Sequence, residues 1–215
     1  MPKDKRTYKI KEIYYTIQGE GFHTGQAAVF VRFSGCNLWN GLESSRPKAI
    51  CQFCDTDFVG TDGIEGGTYT ADELSNKIKN LWPDNAEGQI FSVFTGGEPA
   101  LQLDESLIDR LHQENIFVAI ETNGTIELVD GIDWICMSPK AGSLQVVNKG
   151  NELKLVYPQD DIDPVEFQAL QFDHFFLQPK DDVAKERNTT LCLEYVQKNP
   201  QWRLSLQTHK YLDIP

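Results

Sequence analysis

The chain has 215 residues, a length that favours a single domain over 1–215 with a sizeable core. Apolar residues make up 40% and charged residues 24%, which excludes a low-complexity or wholly disordered chain; 20 Lys and Arg against 32 Asp and Glu leave a net charge of −12, which repels phosphate backbones and argues against a nucleic-acid partner. No stretch approaches the roughly 20 apolar residues of a spanning helix, and the start, Met1-Pro2-Lys3-Asp4-Lys5-Arg6, lacks the apolar segment of a signal peptide, so no membrane contact and a cytoplasmic location are expected.

In chain order, residues 8–17 are rich in β-branched and aromatic side chains and run into Gln18-Gly19-Glu20-Gly21, while 27–33 break at Ser34-Gly35; both are predicted strands. Thr70-Ala71-Asp72-Glu73 is a capping-box pattern ahead of Leu74, Ile78 and Leu81, which share a helical face that Pro83 closes, predicting a helix over 70–82. Alternation follows: strand 90–94, helix 104–114 with Leu107, Ile108 and Leu111 on one face, and strand 117–120. Further strands are predicted at 134–137, 152–156, 175–177 and 203–206, with helices near 163–170 and over 189–198. Each strand is followed by polar or glycine-rich residues: Ser34-Gly35-Cys36, Thr95-Gly96-Gly97-Glu98-Pro99, Glu121-Thr122-Asn123-Gly124, Ser138-Pro139-Lys140, Gln178-Pro179 and Gln207-Thr208-His209-Lys210. Parallel strands in a barrel or an open sheet gather such segments at their carboxyl ends, where active sites are built.

Five cysteines is an odd number, and Cys36, Cys51 and Cys54 crowd into one loop with C-x14-C-x2-C spacing, which a disulfide framework explains poorly. Three thiolates leave a fourth metal position to another group. Zinc, with His23 as the nearest histidine, and a four-iron cluster with one open iron both fit the spacing, and unliganded structural thiols are a third reading. Cys136, mid-strand, and Cys192, on a helix among Leu191, Leu193 and Val196, read as small core hydrophobes; His112 and His174 show no partner pattern and read as structural.

These blocks together, with Tyr15-Thr16-Ile17-Gln18-Gly19-Glu20-Gly21, Arg32-Phe33-Ser34-Gly35-Cys36-Asn37-Leu38-Trp39 and Cys54-Asp55-Thr56-Asp57-Phe58, make the chain resemble the radical S-adenosylmethionine (SAM) superfamily, and within it the 7-carboxy-7-deazaguanine synthases. The usual motif of that superfamily is C-x3-C-x2-C with an aromatic residue before the last cysteine. Phe53 holds that place here, and an insertion at 37–50, which some of these synthases share, separates the first two cysteines. The resemblance implies an α/β fold, an incomplete (β/α) barrel of mostly parallel strands with helices outside. It also implies a 4Fe-4S cluster on Cys36, Cys51 and Cys54, SAM, and Mg²⁺ on Thr56. The implied reaction removes hydrogen from carbon 6 of 6-carboxy-5,6,7,8-tetrahydropterin and contracts the ring with loss of ammonia to 7-carboxy-7-deazaguanine, in queuosine biosynthesis. A low-potential electron donor such as flavodoxin and a homodimer are implied as well. A glycyl-radical activating enzyme would use the same cluster and SAM, and a zinc-binding interaction module is the non-enzymatic alternative.

By the same resemblance, Phe53, Cys54, Asp55, Gly97, Glu98, Glu121, Asn123, Ser138, Pro139, Lys140 and Gln178 address the cofactor. Ile17, Gln18, Gly19, Glu20, Arg32, Thr95, His209 and Pro215 line the substrate pocket, and Glu20 is a candidate base. The residue types agree. Glycines in Gly96-Gly97 let backbone approach a ligand closely. Arg32 stands inside the apolar run Val29-Phe30-Val31-Arg32-Phe33, where a guanidinium needs a carboxylate, either the substrate's or one from the protein. Asp55-Thr56-Asp57 offers the hard oxygens that Mg²⁺ prefers. The tail Tyr211-Leu212-Asp213-Ile214-Pro215 is expected to dock through its apolar residues and present its carboxylate to a pterin edge.

Overall fold

The computed structural model describes residues 6–215, so the charged stretch from Met1 to Lys5, read above for the lack of a signal segment, lies outside the described residues. The elements run β1 (Thr7–Ile17), β2 (Ala27–Phe33), β3 (Gly67–Thr70), α1 (Ala71–Leu81), β4 (Ile90–Gly96), α2 (Glu105–Gln113), β5 (Ile116–Thr122), β6 (Trp134–Met137), β7 (Lys149–Tyr157), β8 (Gln171–Pro179), α3 (Lys185–Lys198), β9 (Trp202–Leu204) and α4 (Thr208–Leu212). The strands form one sheet in the order β3-β1-β2-β4-β5-β6-β7-β8-β9. β1 pairs antiparallel with β2 and β3, and every other neighbour pair is parallel. The edges β3 and β9 do not pair, so the sheet stays open, as the expected incomplete barrel requires. Its curvature brings the turn after β1 across to β7, where the Phe22 amide donates to Glu152 over 3.2 Å.

Local chemistry sets the element ends. The Thr70 hydroxyl accepts from the Glu73 amide and the Glu73 carboxylate accepts from the Thr70 amide, the reciprocal cap that starts α1. Asp104 caps α2 by accepting from the Leu107 amide at 3.0 Å. The strand alternation then sorts side chains between two faces. Val29, Val31 and Phe33 of β2, Phe94 of β4 and Val118 and Ile120 of β5 pack against Leu74 and Ile78 of α1 and Leu107, Ile108 and Leu111 of α2. Leu153 and Leu155 of β7 and Leu177 of β8 form the second half of this layer with Cys192 of α3 and Trp202. The inner face is floored by Ala28, Phe91, Val93 and Ala119, with Phe30, Phe117 and Trp134 packed on them. One or two steps further along the same face come Arg32, Thr95, Glu121, Lys154 and Gln178. The inside is therefore apolar at the strands' start and polar at their carboxyl ends.

The structure departs from the expected elements in several places. The helix expected near 163–170 is a 3-10 turn, Pro164–Phe167; only Pro164 and Phe167 are buried in it, too few to hold a longer helix before β8 begins at Gln171. The helix expected at 189–198 starts earlier, at Lys185, where Asn188 is tied to the Lys180 carbonyl and to Asp182. The last strand is Trp202–Leu204 instead of 203–206. β3 and α4, both short, were not expected; Gly67-Thr68-Tyr69-Thr70 is an edge strand that only its pairing with Thr7–Ile10 defines.

Candidate active site

A cavity of about 420 Å³ opens at the carboxyl ends of the strands, within the size range of small-molecule sites. Cys36, Cys51 and Cys54 stand in its lining together with Phe53, Asp55, Thr56, Gly97, Glu121, Asn123, Ser138, Lys140, Gln178, Ile17, Gln18, Gly19, Glu20, Arg32, Thr95, His209 and Pro215. Residues more than 190 positions apart in sequence thus line one cavity. Glu98 and Pro139 do not reach the lining.

The thiols are held by backbone. Cys36 follows β2, and its sulfur accepts from the Leu38 amide at 3.4 Å. The neighbouring Cys54 thiol and burial together push Cys51 up, while the interaction with Cys51 outweighs burial at Cys54 and holds that thiol down near 6. All five cysteines are free, and Cys136 and Cys192 are buried in the core as expected. His23 does not join the thiols: its Nδ1 meets Gln26 at 2.8 Å and its ring packs on Phe91 and Trp134 at the floor. Among the described residues no three His, Cys, Asp or Glu side chains surround a single-ion position. Three soft donors on one rim, set around a volume and beside polar loops, fit a thiolate-bound iron–sulfur cluster with SAM next to it.

The glycines of Gly96-Gly97 also serve an approach within the protein. A Cβ at Gly97 would lie 2.0 Å from the Gly35 carbonyl oxygen, and Gly96, at φ +127°, has no room beside the Phe33 backbone. The glycines let the end of β4 pack against the Ser34-Gly35-Cys36 loop, sealed by Gly97 N to Phe33 O at 3.1 Å and Glu98 N to Gly35 O at 2.8 Å. Glu98 itself is fully buried, and its carboxylate accepts from the Ala100 amide at 2.9 Å, the Thr122 hydroxyl at 2.8 Å and the Asn123 amide at 2.7 Å. Glu98 therefore joins the β4 and β5 loops from behind and leaves any ligand contact to backbone. Asn123 donates to Asn37 at 3.0 Å, and Lys140 donates to the Ser138 hydroxyl at 2.6 Å with its ammonium 5.7 Å from the Phe53 ring centroid.

Deeper in, a charged network fills the polar end of the barrel. Lys154, 4% exposed, pairs with Glu20 and lies 3.4 Å from Glu121. Gln207 donates to Glu20 at 3.0 Å, Gln18 donates to Glu121 at 3.1 Å, and Thr95 lies 3.4 Å from Glu121. Burial raises the Glu20 carboxyl, but the Lys154 charge and the hydrogen bonds from Lys154 and Gln207 outweigh it and hold the group near 2. A carboxylate held so low is an anion and acceptor, and acts as a base only with Lys154 displaced. Arg32 spends two donors on protein partners, Nε to Glu12 at 2.7 Å and Nη2 to the Tyr14 hydroxyl at 3.0 Å; its Nη1 carries no hydrogen bond among the described residues. Lys154, Glu12 and Tyr14 escaped the sequence reading. Lys154 was detectable only as a cation two residues from Glu152 in an otherwise apolar strand.

The C-terminal segment closes one side. The Gly19 carbonyl accepts from the Thr208 amide at 2.9 Å and hydroxyl at 2.8 Å, and a Cβ on Gly19 would sit 2.4 Å from the His209 ring. Thr16 donates to a Pro215 oxygen at 3.1 Å, and Lys210 reaches Asp55 at 2.7 Å. The tail docks mainly through polar anchors: of the apolar residues expected to hold it, Tyr211 and Leu212 are 64% and 60% exposed and Ile214 alone is half-buried. Asp57 is likewise engaged, 2.8 Å from Lys11, which leaves the Thr56 side chain in the cavity wall between two paired aspartates.

No family model matches the chain. Among curated proteins it is 54% identical to a 7-carboxy-7-deazaguanine synthase of Burkholderia multivorans, over 97% of this chain and 100% of that one. It is 53% identical to that of Caulobacter vibrioides with the same coverage, and 44% identical to that of Bacteroides thetaiotaomicron over 96% and 98%. Among solved structures, the crystal structure of QueE from Escherichia coli matches with a TM-score of 0.70 at 26% identity, covering 93% of each chain. None of these relatives is a zinc-binding module or an activating enzyme. With that identity along nearly the whole length and the three thiols on the rim of an open parallel barrel, the chain belongs to the 7-carboxy-7-deazaguanine synthase family of radical SAM enzymes.

Proposed function

We propose that this chain is a radical SAM lyase that converts 6-carboxy-5,6,7,8-tetrahydropterin to 7-carboxy-7-deazaguanine with loss of ammonia, in queuosine biosynthesis. The observation that carries the reading is the meeting, in one cavity, of three free thiols and a wall of the buried Lys154 with the half-buried Arg32, Glu121 and Glu20. Cys36, Cys51 and Cys54 would hold a 4Fe-4S cluster, and Gly97, Glu121, Asn123 and Ser138 to Lys140 would meet SAM. When bound, cluster and SAM supply the carbon radical that takes hydrogen from carbon 6 of the pterin.

The remaining work falls to the chain itself. The Nη1 edge of Arg32 is free to take a substrate carboxylate while Glu12 and Tyr14 hold the guanidinium plane. Gln18, Thr95 and Gln178 offer amide and hydroxyl groups at the same depth, and the Pro215 end of the tail offers an acceptor to the amino-pyrimidinone edge. Lys154 offsets one of the two carboxylate charges, of Glu20 and Glu121, that would otherwise repel an anionic substrate. A proton released during aromatisation can pass to Glu20 once Lys154 turns toward the substrate. Thr56 is the proposed Mg²⁺ ligand, since that ion needs only one or two protein oxygens and keeps its waters. A low-potential donor such as flavodoxin and a homodimer complete the reading.

Anaerobic purification followed by iron, sulfide and absorbance measurements, then incubation with SAM, dithionite and the carboxylated pterin, tests it. A brown protein with four irons per chain that forms the deazaguanine by mass is the expected result. A colourless zinc protein, or an iron–sulfur protein inert toward this pterin, overturns it.

A further inference from the structure

The 37–50 insertion is not explained by the reaction. Its 3-10 helix, Glu43–Lys48, buries no residue of its own, so burial does not hold it in place. Arg46 supplies what burial does not. Its Nε and Nη2 grip both oxygens of Glu43, at 2.8 and 2.6 Å. Its Nη1 donates to two carbonyl oxygens of the cluster loop, Gln52 at 3.0 Å and Cys54 at 2.9 Å. Its guanidinium carbon lies 3.9 Å from the centroid of Trp39. Trp39 is a fixed platform: it is 7% exposed, its indole N–H donates to Leu42 O at 3.2 Å, and its ring meets Phe58 edge-on at 5.5 Å.

From this geometry we infer that Arg46 is a positioning residue that fixes the Cys51–Cys54 segment for cluster binding. Two carbonyls aimed at one nitrogen orient the peptides on either side of Phe53 and Cys54, and with them the direction in which the Cys54 sulfur leaves the chain. Only a planar fork can stack on Trp39, clasp Glu43 and bridge both carbonyls together; an ammonium is a point donor that does one of these at a time. The insertion thereby braces the cluster loop from outside, anchoring it through Trp39 to the Phe58 core.

The inference rests on Cys36, Cys51 and Cys54 being cluster ligands, and the experiment separates the two. Wild type, Arg46→Lys, Arg46→Met and Glu43→Gln are reconstituted anaerobically, and iron release to a chelator is timed alongside the electron paramagnetic resonance spectrum of the reduced cluster with and without SAM. Supporting partners of metal ligands are typically worth about 10- to 100-fold in affinity, so both Arg46 variants are expected to lose iron about 10-fold faster than wild type or more, with an altered spectrum. Glu43→Gln, which keeps Arg46 but loosens its clasp, is expected to fall between and carries the test should an Arg46 variant lose its circular-dichroism signature. Release from Arg46→Lys at the wild-type rate with an unchanged spectrum overturns the positioning role. A wild type that holds no four-iron cluster instead overturns the ligand assignment.

Discussion

Lys154 carries a buried ammonium between Glu20 and Glu121, and its removal would leave two partly buried carboxylates without their cation. Breaking one partner from such a site typically costs about 3 to 5 kcal/mol, so Lys154→Met is expected to lose that much in a denaturant titration, or to pull the carboxyls up until one is protonated. The sign of the pH dependence follows from Glu20. Its folded carboxyl lies below the ordinary 4.5, near 2, so its contribution is fully present above 4.5 and is lost as pH falls toward 2. The stability gap between wild type and Lys154→Met should close across that window, and a gap constant down to pH 2 would remove Lys154 from the pair. Arg32 poses a separate question because it already has Glu12. If its Nη1 edge takes the substrate carboxylate, Arg32→Met raises KM by roughly 10² or more, whereas Glu12→Gln, which keeps the guanidinium, does so far less. Equal kinetics for the two variants would make Arg32 a structural partner of Glu12.

The cluster loop and the tail are the two elements whose function rests on few core contacts. Replacing Cys36, Cys51 or Cys54 by Ala is expected to abolish four-iron loading, since three thiolates are the whole protein share of such a cluster, while Cys136→Ala and Cys192→Ala retain it. Iron and sulfide counts on the five variants decide. The tail predicts a directional result: α4 sits on Gly19 and brings His209 and Pro215 to the cavity, so a C-terminal extension should depress turnover while an N-terminal one leaves it intact at matched iron content. Equal turnover would leave the tail a bystander. Elements of this kind are also where sequence reading thins out. α1 and α2 were legible because a cap and an apolar face agree; the 3-10 turn at Pro164–Phe167 looked like a helix because a Pro at its start and scattered apolar residues imitate one. α4 has no buried residue to announce it, and the tail's apolar side chains suggested a docking mode that its polar anchors replaced.

Across the whole molecule, strand alternation was readable but its meaning was not. In an open barrel both faces of a strand are covered, so Arg32, Thr95 and Glu121 could be placed at strand ends, whereas Glu152 and Lys154 have the spacing of a solvated face and turn out to be enclosed. The segment Gly96 to Glu98 lies where its glycines suggest a close approach, and one such approach is to the Phe33 to Gly35 backbone, because a glycine's missing Cβ says that something comes close and not what. What the fold accomplishes is convergence: an apolar floor of Phe91, Val93 and Ala119 supports a polar end where segments following seven strands meet. The account requires that the pterin's carbon 6 and the carbon radical source share that one cavity. Turnover of pterin deuterated at carbon 6, with mass analysis of SAM and its cleavage products, measures this directly. Deuterium appearing in the adenosyl group as 7-carboxy-7-deazaguanine forms is the predicted result; product formed with no deuterium in that group, or deuterium-free cleavage of SAM without product, would contradict it.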